Sequence, residues 1–385
     1  MYSEQWNKQK EKIMWDKLVH PALLQLTPYQ PGKPISECQR EYGITHFIKL
    51  ASNENPLGAS PYVTQNLVKS LEDIFRYPDG AAFALKTALS IHLKVSPTQL
   101  LLGNGSEDVL KMVLQAFAHS DQQIMIPQYA FIAYKILARG LGLAVKEIPV
   151  KNFEVDLDAM LAAITSATRV IILANPNNPT GTYIREEKLK QFLMALPKEV
   201  VLVLDEAYYE YVTAKDYPQS IALMEQHPNL VITRTFSKAY GLAGLRLGYG
   251  IAHPGLVELI NRIRQPFNVN HIAQAAAIFA LEDQAFVKQG VQINEQGKTQ
   301  WYQALSRLGV PFVPSAGNFI MVHLPGKAHA MFQALLQKGI IVRPLDPYGL
   351  GDYLRISIGT EAENLAAIDA LQKSLIEEKA HDRIT

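Results

Sequence analysis

Apolar residues in this chain come in short unbroken runs rather than in alternation with polar ones. Leu100–Leu102, Gln123–Ile126, Val170–Ala174, Val200–Leu204 and Leu230–Thr233 each read as a strand. Continuous runs of this length suit strands buried on both faces of a mainly parallel sheet. Between them the apolar spacing changes to three and four. Residues 82–93 and 107–118 carry that helical spacing, and in the second Val109, Leu110, Val113, Leu114 and Phe117 share one face. Strand and helix patterns alternating from about 60 to 280 predict an α/β, doubly wound layout.

The flanks follow other patterns. Residues 1 to about 30 are polar with scattered aromatics and run into Leu26-Thr-Pro-Tyr-Gln-Pro-Gly-Lys-Pro. Prolines so closely spaced exclude regular helix, which predicts an extended arm lying on the body or on a partner subunit. Phe47–Ala51 and Asn53-Glu-Asn-Pro-Leu-Gly then read as a short strand running into a turn. Beyond 283, a polar-rich helix over roughly 284–308 leads to strands near Phe319–His323, Ile340–Val342 and Tyr353–Ser357, with helices at about 328–337 and 361–377. The division expected is an arm and part of a small domain over 1–52, a large domain over 53–283, and a small α+β C-terminal domain over 284–385.

Composition narrows the function classes. With 48% hydrophobic and 19% charged residues among 385, the chain has material for a sizeable core and is not disordered. Its 37 basic and 36 acidic residues leave a net charge of +1 and no basic stripe, so neither nucleic acid nor an anionic membrane is the expected partner. A small molecule is. The single cysteine, Cys38, excludes an intramolecular disulfide and points to a reducing compartment. No apolar run approaches the ~20 residues of a membrane span, and the N-terminus lacks a signal-peptide core. A cytoplasmic protein is expected, and no metal site is.

One polar cluster follows each strand-like run, and open α/β sheets bind ligands at the carboxyl ends of their strands. Gly103-Asn-Gly-Ser-Glu-Asp follows the first, with Ser106 as a candidate N-cap and free first-turn amides as an anion site. It is not a nucleotide P-loop, because no Gly-Lys-Ser/Thr follows. Pro127-Gln-Tyr-Ala offers Tyr129 as a flat face for an aromatic ring. Asn175-Pro-Asn-Asn-Pro-Thr-Gly offers the Asn178 amide. Asp205-Glu-Ala-Tyr ends an apolar strand in a carboxylate that needs a partner, and a pyridinium N–H is one that would keep such a ring an electron sink. Thr235-Phe-Ser-Lys holds Lys238 among small residues at a strand end, with Arg246 eight residues on. A lysine so placed suits covalent attachment of a carbonyl cofactor, pyridoxal phosphate, with the hydroxyls and Arg246 holding the phosphate. Taken singly, each cluster has a plain structural alternative: a solvated loop for Lys238, a capped helix after Ser106, a core or surface tyrosine for Tyr129, a structural salt bridge for Asp205. Five clusters after five strands favour a shared site.

These residues resemble the class I/II pyridoxal-phosphate aminotransferases. Leu26-Thr-Pro-Tyr-Gln-Pro-Gly, Asn53-Glu-Asn-Pro-Leu-Gly, Arg76-Tyr-Pro-Asp, Phe267-Asn-Val-Asn and Tyr353-Leu-Arg-Ile-Ser-Ile-Gly-Thr are similar to the branch that exchanges an amine between glutamate and imidazole-acetol phosphate, giving histidinol phosphate and 2-oxoglutarate. The resemblance runs from about 20 to 375. It implies an aspartate-aminotransferase-like fold and a homodimer with shared active sites. Lys238 would carry the cofactor and shuttle a proton, Asp205 would pair with its ring nitrogen, and Tyr208 and Asn178 would bond its ring hydroxyl. Gly105, Ser106, Glu107, Thr235, Ser237 and Arg246 would hold its phosphate, Tyr129 would cover its ring, and Tyr77 would reach the neighbouring subunit's cofactor. Tyr29, Arg343 and Arg355 would bind substrate, the last gripping either a carboxylate or a phosphate. Three rivals remain on the same residues: an aromatic amino-acid aminotransferase, a threonine-phosphate decarboxylase-like enzyme, and a non-catalytic cofactor-binding regulator.

Overall fold

In the computed structural model, which describes residues 14–28 and 32–381, the continuous apolar runs lie side by side in one seven-stranded sheet. After a short β1 (Ile48–Lys49), it comprises β2 (Leu100–Gly103), β3 (Gln123–Pro127), β4 (Ala144–Ile148), β5 (Thr168–Ala174), β6 (Val201–Asp205), β7 (Leu230–Thr235) and β8 (Gly248–Ala252). Their order is β2-β8-β7-β6-β5-β3-β4, and every paired neighbour is parallel except at β8, which runs against both β2 and β7. Strand residues alternate between two cores. Leu202, Leu204, Leu230 and Ile232 face one, while Val201, Val203, Val231 and Ile172 face the other. Burial on both faces is the physical reason these strands lack polar alternation.

Two of the seven strands fall outside the pattern. β4 is an edge strand with exposed Ala144 and Glu147, and charged edges of this kind resist unwanted pairing. β8 reads Gly-Tyr-Gly-Ile-Ala, a weak strand sequence, yet all five residues are buried. Close approach explains its first glycine: a Cβ on Gly248 would lie 2.1 Å from the Ser106 amide nitrogen. The helix Ser106–Phe117 thus starts directly over β8. Ser106 is its first helical residue rather than its cap. The cap is Gly105, whose φ of 88° is open to glycine at no steric cost and whose missing side chain leaves the helix end bare.

The smaller unit contains β9 (Phe312–Val313), β10 (Phe319–His323), β11 (Ile340–Ile341), β12 (Arg343–Pro344) and β13 (Tyr353–Ser357). Four of them form an antiparallel sheet in the order β12-β13-β10-β9, while β11 pairs in parallel with β1. A core of Trp301, Leu305, Ile320, Val322, Leu354 and Ile356 fills the space under the helix Gln284–Leu308. That helix starts where the Asp283 carboxylate accepts the Phe286 N–H at 3.2 Å and stops at Gly309 with φ 67°. Pro21–Gln25, inside the expected arm, forms a 3-10 turn rather than extended chain, since proline is tolerated at the first position of such a turn. Among the described residues, no helix is long and apolar enough to cross a membrane.

Position is what this architecture supplies. Through the β1–β11 pairing, residues 50–55 return from the small sheet to the carboxyl ends of the large one, with Ser357 N–H donating to the Leu50 carbonyl at 2.8 Å.

Candidate active site

Where the carboxyl ends of β5, β6 and β7 meet residues 51–53 and the strands β12 and β13, a cleft of about 190 Å³ opens. Its floor is Asp205. In register with Ala174 on one side and Thr233 on the other, this carboxylate is 5% exposed. Thr233 Oγ1 donates to Oδ1 at 3.0 Å and Tyr134 Oη donates to Oδ2 at 2.6 Å. Burial pushes the carboxyl pKa up, and these donors oppose it. The Ala207 backbone N–H is a third donor, and since a carboxylate has about four acceptor positions, capacity remains for one further partner on the cleft side. Strand alternation sends the next side chain the other way. Glu206, fully buried, pairs with Arg234 at 2.8 Å, and the guanidinium lies 3.4 Å over the Tyr209 ring.

Above Asp205 stands Tyr208, whose hydroxyl oxygen accepts the Asn53 amide at 2.9 Å and the Asn178 amide at 3.2 Å. Burial raises its pKa to about 12, which keeps the phenol protonated at neutral pH. Lys238 Nζ lies 5.8 Å from the Tyr208 ring centre and donates to the Ser52 carbonyl at 3.0 Å. Burial, helped by the nearby Arg355 guanidinium, pulls the lysine down to about 8. An amine in that range is partly neutral in physiological buffer, as a nucleophile or proton acceptor must be.

Each end of the cleft carries an arginine cradle. At one end the bare start of the helix Ser106–Phe117 meets Thr235, Ser237 and Arg246. Arg246, itself in left-handed backbone with φ 57°, hydrogen-bonds Ser237 Oγ at 3.5 Å and the Ala243 carbonyl at 3.1 Å. It crosses directly over Gly105, where a Cβ would lie 2.7 Å from Arg246 Nη2. At the other end Arg343 and Arg355 face each other across the β12–β13 ladder. Arg355 is 6% exposed; its Nη1 donates to Asn178 Oδ1 and its Nη2 to the Ala51 carbonyl, both at 2.6 Å.

Of the residues expected from sequence, Ser106, Glu107, Asn178, Asp205, Tyr208, Thr235, Ser237, Lys238, Arg246, Arg343 and Arg355 line this one cleft, with Gly105 beneath Arg246. Tyr129 does not line it. Its backbone takes a left-handed turn (φ 59°), and the ring packs on Phe153 at 5.9 Å, outside the cleft. Phe131, two residues on, lines it instead. Tyr77 is 83% exposed and stacks on Phe267 at 4.8 Å, away from this chain's own cleft. Tyr29 lies outside the described residues. Sequence reading missed Ser52, Asn53, Phe131, Tyr134 and Thr233. Signals were available for Thr233, at the end of an apolar strand beside the one ending in Asp205, and for Asn53, which opens the motif Asn53-Glu-Asn-Pro-Leu-Gly.

The sequence profile of aminotransferase class I and II matches residues 45–371. The chain is 48% identical over 352 residues to histidinol-phosphate aminotransferase 1 from Nitrosococcus oceani, covering 91% of this chain and 95% of that one. It is 47% identical over 352 residues to histidinol-phosphate aminotransferase from Methylobacillus flagellatus, with the same coverage of 91% and 95%. Among solved structures, histidinol-phosphate aminotransferase from Sinorhizobium meliloti in complex with pyridoxal-5'-phosphate superposes with a TM-score of 0.86 at 29% identity, covering 93% of this chain and 98% of that one.

Proposed function

The chain belongs to the class I and II aminotransferases, and from that premise we propose how its cleft works. It is a pyridoxal-phosphate-dependent enzyme of histidine biosynthesis, exchanging an amine between glutamate and imidazole-acetol phosphate to give histidinol phosphate and 2-oxoglutarate. The cleft suits the cofactor on two counts. Asp205 keeps acceptor capacity on the cleft side, and Gly105 and Gly248 let Arg246 and β8 close directly on the bare helix start, since a Cβ would lie 2.7 Å from Arg246 Nη2 at the first and 2.1 Å from the Ser106 nitrogen at the second. Bound there, pyridoxal phosphate supplies an electron sink for the bond broken at the amine-bearing carbon.

This chain's residues do the rest. Asp205 pairs with the ring N–H at the floor. Tyr208 and Asn178 hold the ring oxygen, and Phe131 covers one ring face. Gly105, Ser106, Glu107, Thr235, Ser237 and Arg246 seat the cofactor phosphate through backbone N–H groups, hydroxyls and a guanidinium. Lys238 would be the covalent attachment point for the cofactor's carbonyl, and its Nζ, as a free amine, would take the proton from the amine-bearing carbon. Arg355 and Arg343 grip the anionic end of either substrate, a carboxylate from glutamate or the phosphate of histidinol phosphate. Two arginines opposite each other in one β-ladder, at the cleft end away from the cofactor's phosphate cradle, are the observation that carries this reading.

The assembly proposed is a homodimer. Val68, Leu71, Ile74, Phe75 and Tyr77 leave a contiguous stretch of apolar side chains more than half exposed, which supports a second copy as its cover. In that arrangement Tyr77 meets the neighbour's cofactor phosphate. We take 53–283 as the cofactor-binding unit and 1–52 with 284–385 as the substrate-gripping unit, supported by the β1–β11 pairing. The buried, unpaired Cys38 supports a cytoplasmic setting.

Substrate comparison on the purified enzyme tests the reading. Histidinol phosphate with 2-oxoglutarate turns over, histidinol without its phosphate reacts at least about a hundredfold more slowly, consistent with the value of charge-assisted bonds, and Lys238→Ala abolishes turnover. A preference for phenylalanine, or carbon dioxide release with no use of 2-oxoglutarate, overturns it.

A further inference from the structure

Asn53 sits where the chain crosses from the small sheet to the large one. It is 1% exposed and adopts φ 54°, left-handed backbone that asparagine tolerates better than most residues. Its backbone N–H donates to Ser357 Oγ at 2.9 Å, and Ser357 Oγ donates back to Asn53 Oδ1 at 2.8 Å. Its carbonyl accepts from Asn318 Nδ2 at 3.0 Å. With Oδ1 held by the serine proton, the remaining group, Nδ2, is turned to the Tyr208 hydroxyl at 2.9 Å.

The second donor to that hydroxyl is fixed in the same way. Asn178 Oδ1 is held by Arg355 Nη1 at 2.6 Å, so Asn178 Nδ2 faces Tyr208 at 3.2 Å. Arg355 and Ser357 are alternate residues of β13 and project from one face of it. Each locks one asparagine, and both asparagines donate to one phenol oxygen. That oxygen has about two acceptor directions, and both are filled. Its single proton is left to point away from the amides, into the cleft.

We infer that Asn53, held by Ser357, is a positioning residue that aims the Tyr208 hydroxyl proton at the ring oxygen of the bound cofactor. It works in parallel with Asn178 held by Arg355, so the strand that grips the substrate anion also sets the proton that meets the ring. The inference rests on the role given to Tyr208 above.

Two variants test it in the cofactor-loaded enzyme. Asn53→Asp keeps the size and the tolerance for positive φ but replaces the N–H donor by an acceptor, so Tyr208 gives its proton to residue 53. Ser357→Ala leaves Asn53 in place and frees its amide, and it keeps the test available if the aspartate variant fails to fold. The readout is the pH titration of the visible absorption band of the bound cofactor. Its midpoint rises by about one pH unit in Asn53→Asp, the scale of one lost hydrogen bond, and by less in Ser357→Ala. Ser357→Thr restores it. In step with this, kcat falls about tenfold in Asn53→Asp while KM stays within about twofold, as for an interaction made in the reaction rather than in binding. In a Tyr208→Phe background Asn53→Asp adds no further shift. Wild-type titration of both variants, with Tyr208→Phe shifted, overturns the inference and leaves the role of Tyr208 standing. A Tyr208→Phe enzyme that itself titrates as wild type overturns that role and the inference with it.

Discussion

The two ends of the cleft solve the same problem, holding an oxyanion, with different materials. The cradle around Gly105 is mostly backbone: a helix start with unpaired amides, two glycines that let β8 and Arg246 come close, and one guanidinium laid across the top. The cradle around Arg355 is all side chain: two guanidinium groups opposed across an antiparallel ladder, one of them tied to Asn178 and to the Ala51 carbonyl. A backbone cradle is rigid and fixed in shape, which suits a group that stays. A side-chain cradle joined to a separate sheet can accept two different anions in turn, which suits a group that comes and goes with each half of the reaction. Lys238 lies between them and feels both charges.

Substitutions can separate the two. The largest effect is expected for Gly248→Ala, because the added methyl carbon would sit 2.1 Å from the Ser106 nitrogen, backbone against backbone, with no flexible side chain to yield. Cofactor retention, followed by equilibrium dialysis of the purified protein, falls by more than about a hundredfold, in keeping with the strain of overpacking. At the opposite end, Arg355→Met leaves cofactor retention within about threefold but lowers kcat/KM for histidinol phosphate about a hundredfold, the loss of a buried charge-assisted contact. Arg343→Met, with a less buried guanidinium, lowers it about tenfold. Both shrink the preference for histidinol phosphate over histidinol. If Arg355→Met instead released the cofactor as Gly248→Ala does, the two cradles would not be separable.

The same contrast governs what the sequence revealed. The backbone cradle announces itself, since glycine, serine and acidic residues after an apolar strand encode a helix start locally. Asp205 and Lys238 also stand out, because polar residues at the ends of fully buried strands have few ordinary uses, and Arg246 stands out by its place eight residues after Lys238. Long elements follow their periodicity closely: the helix Gln284–Leu308 occupies the span its polar-rich pattern predicts. What stays hidden is partnership across the fold. Tyr134 lies on the buried side of a helix and reads as core, and only the packing of that helix brings it to a carboxylate 71 residues away. Asn53 meets Ser357 across 304 residues. Tyr129 reads as the ring cover because nothing local reveals the left-handed turn that carries its ring onto Phe153. β8 escaped because its glycines are there for a neighbouring helix rather than for the strand.

The smallest effect expected reads both ends at once, through the Lys238 amine in the cofactor-free protein. Burial holds it near 8, with Arg355 ahead of Arg246 among the charges that lower it further. Only the neutral amine attacks a carbonyl. The rate of cofactor loading, followed by absorbance, therefore rises about fivefold from pH 7 to pH 8 and levels off above about pH 9. A lysine at its ordinary value would keep gaining about tenfold per pH unit to about pH 9.5. The stability of the cofactor-free protein has a linked sign. Between about 8 and the unfolded value of 10.5 the unfolded chain binds the extra proton, so this lysine adds stability as pH rises through that window and none below it. Removing a neighbouring positive charge favours the ammonium form, so Arg355→Met moves the midpoint of the loading profile up. Arg246→Met moves it up by less, although that variant also weakens the phosphate cradle. A larger shift from Arg246 than from Arg355 would reverse the order and place the lysine nearer, in electrostatic terms, to the cofactor's anion than to the substrate's.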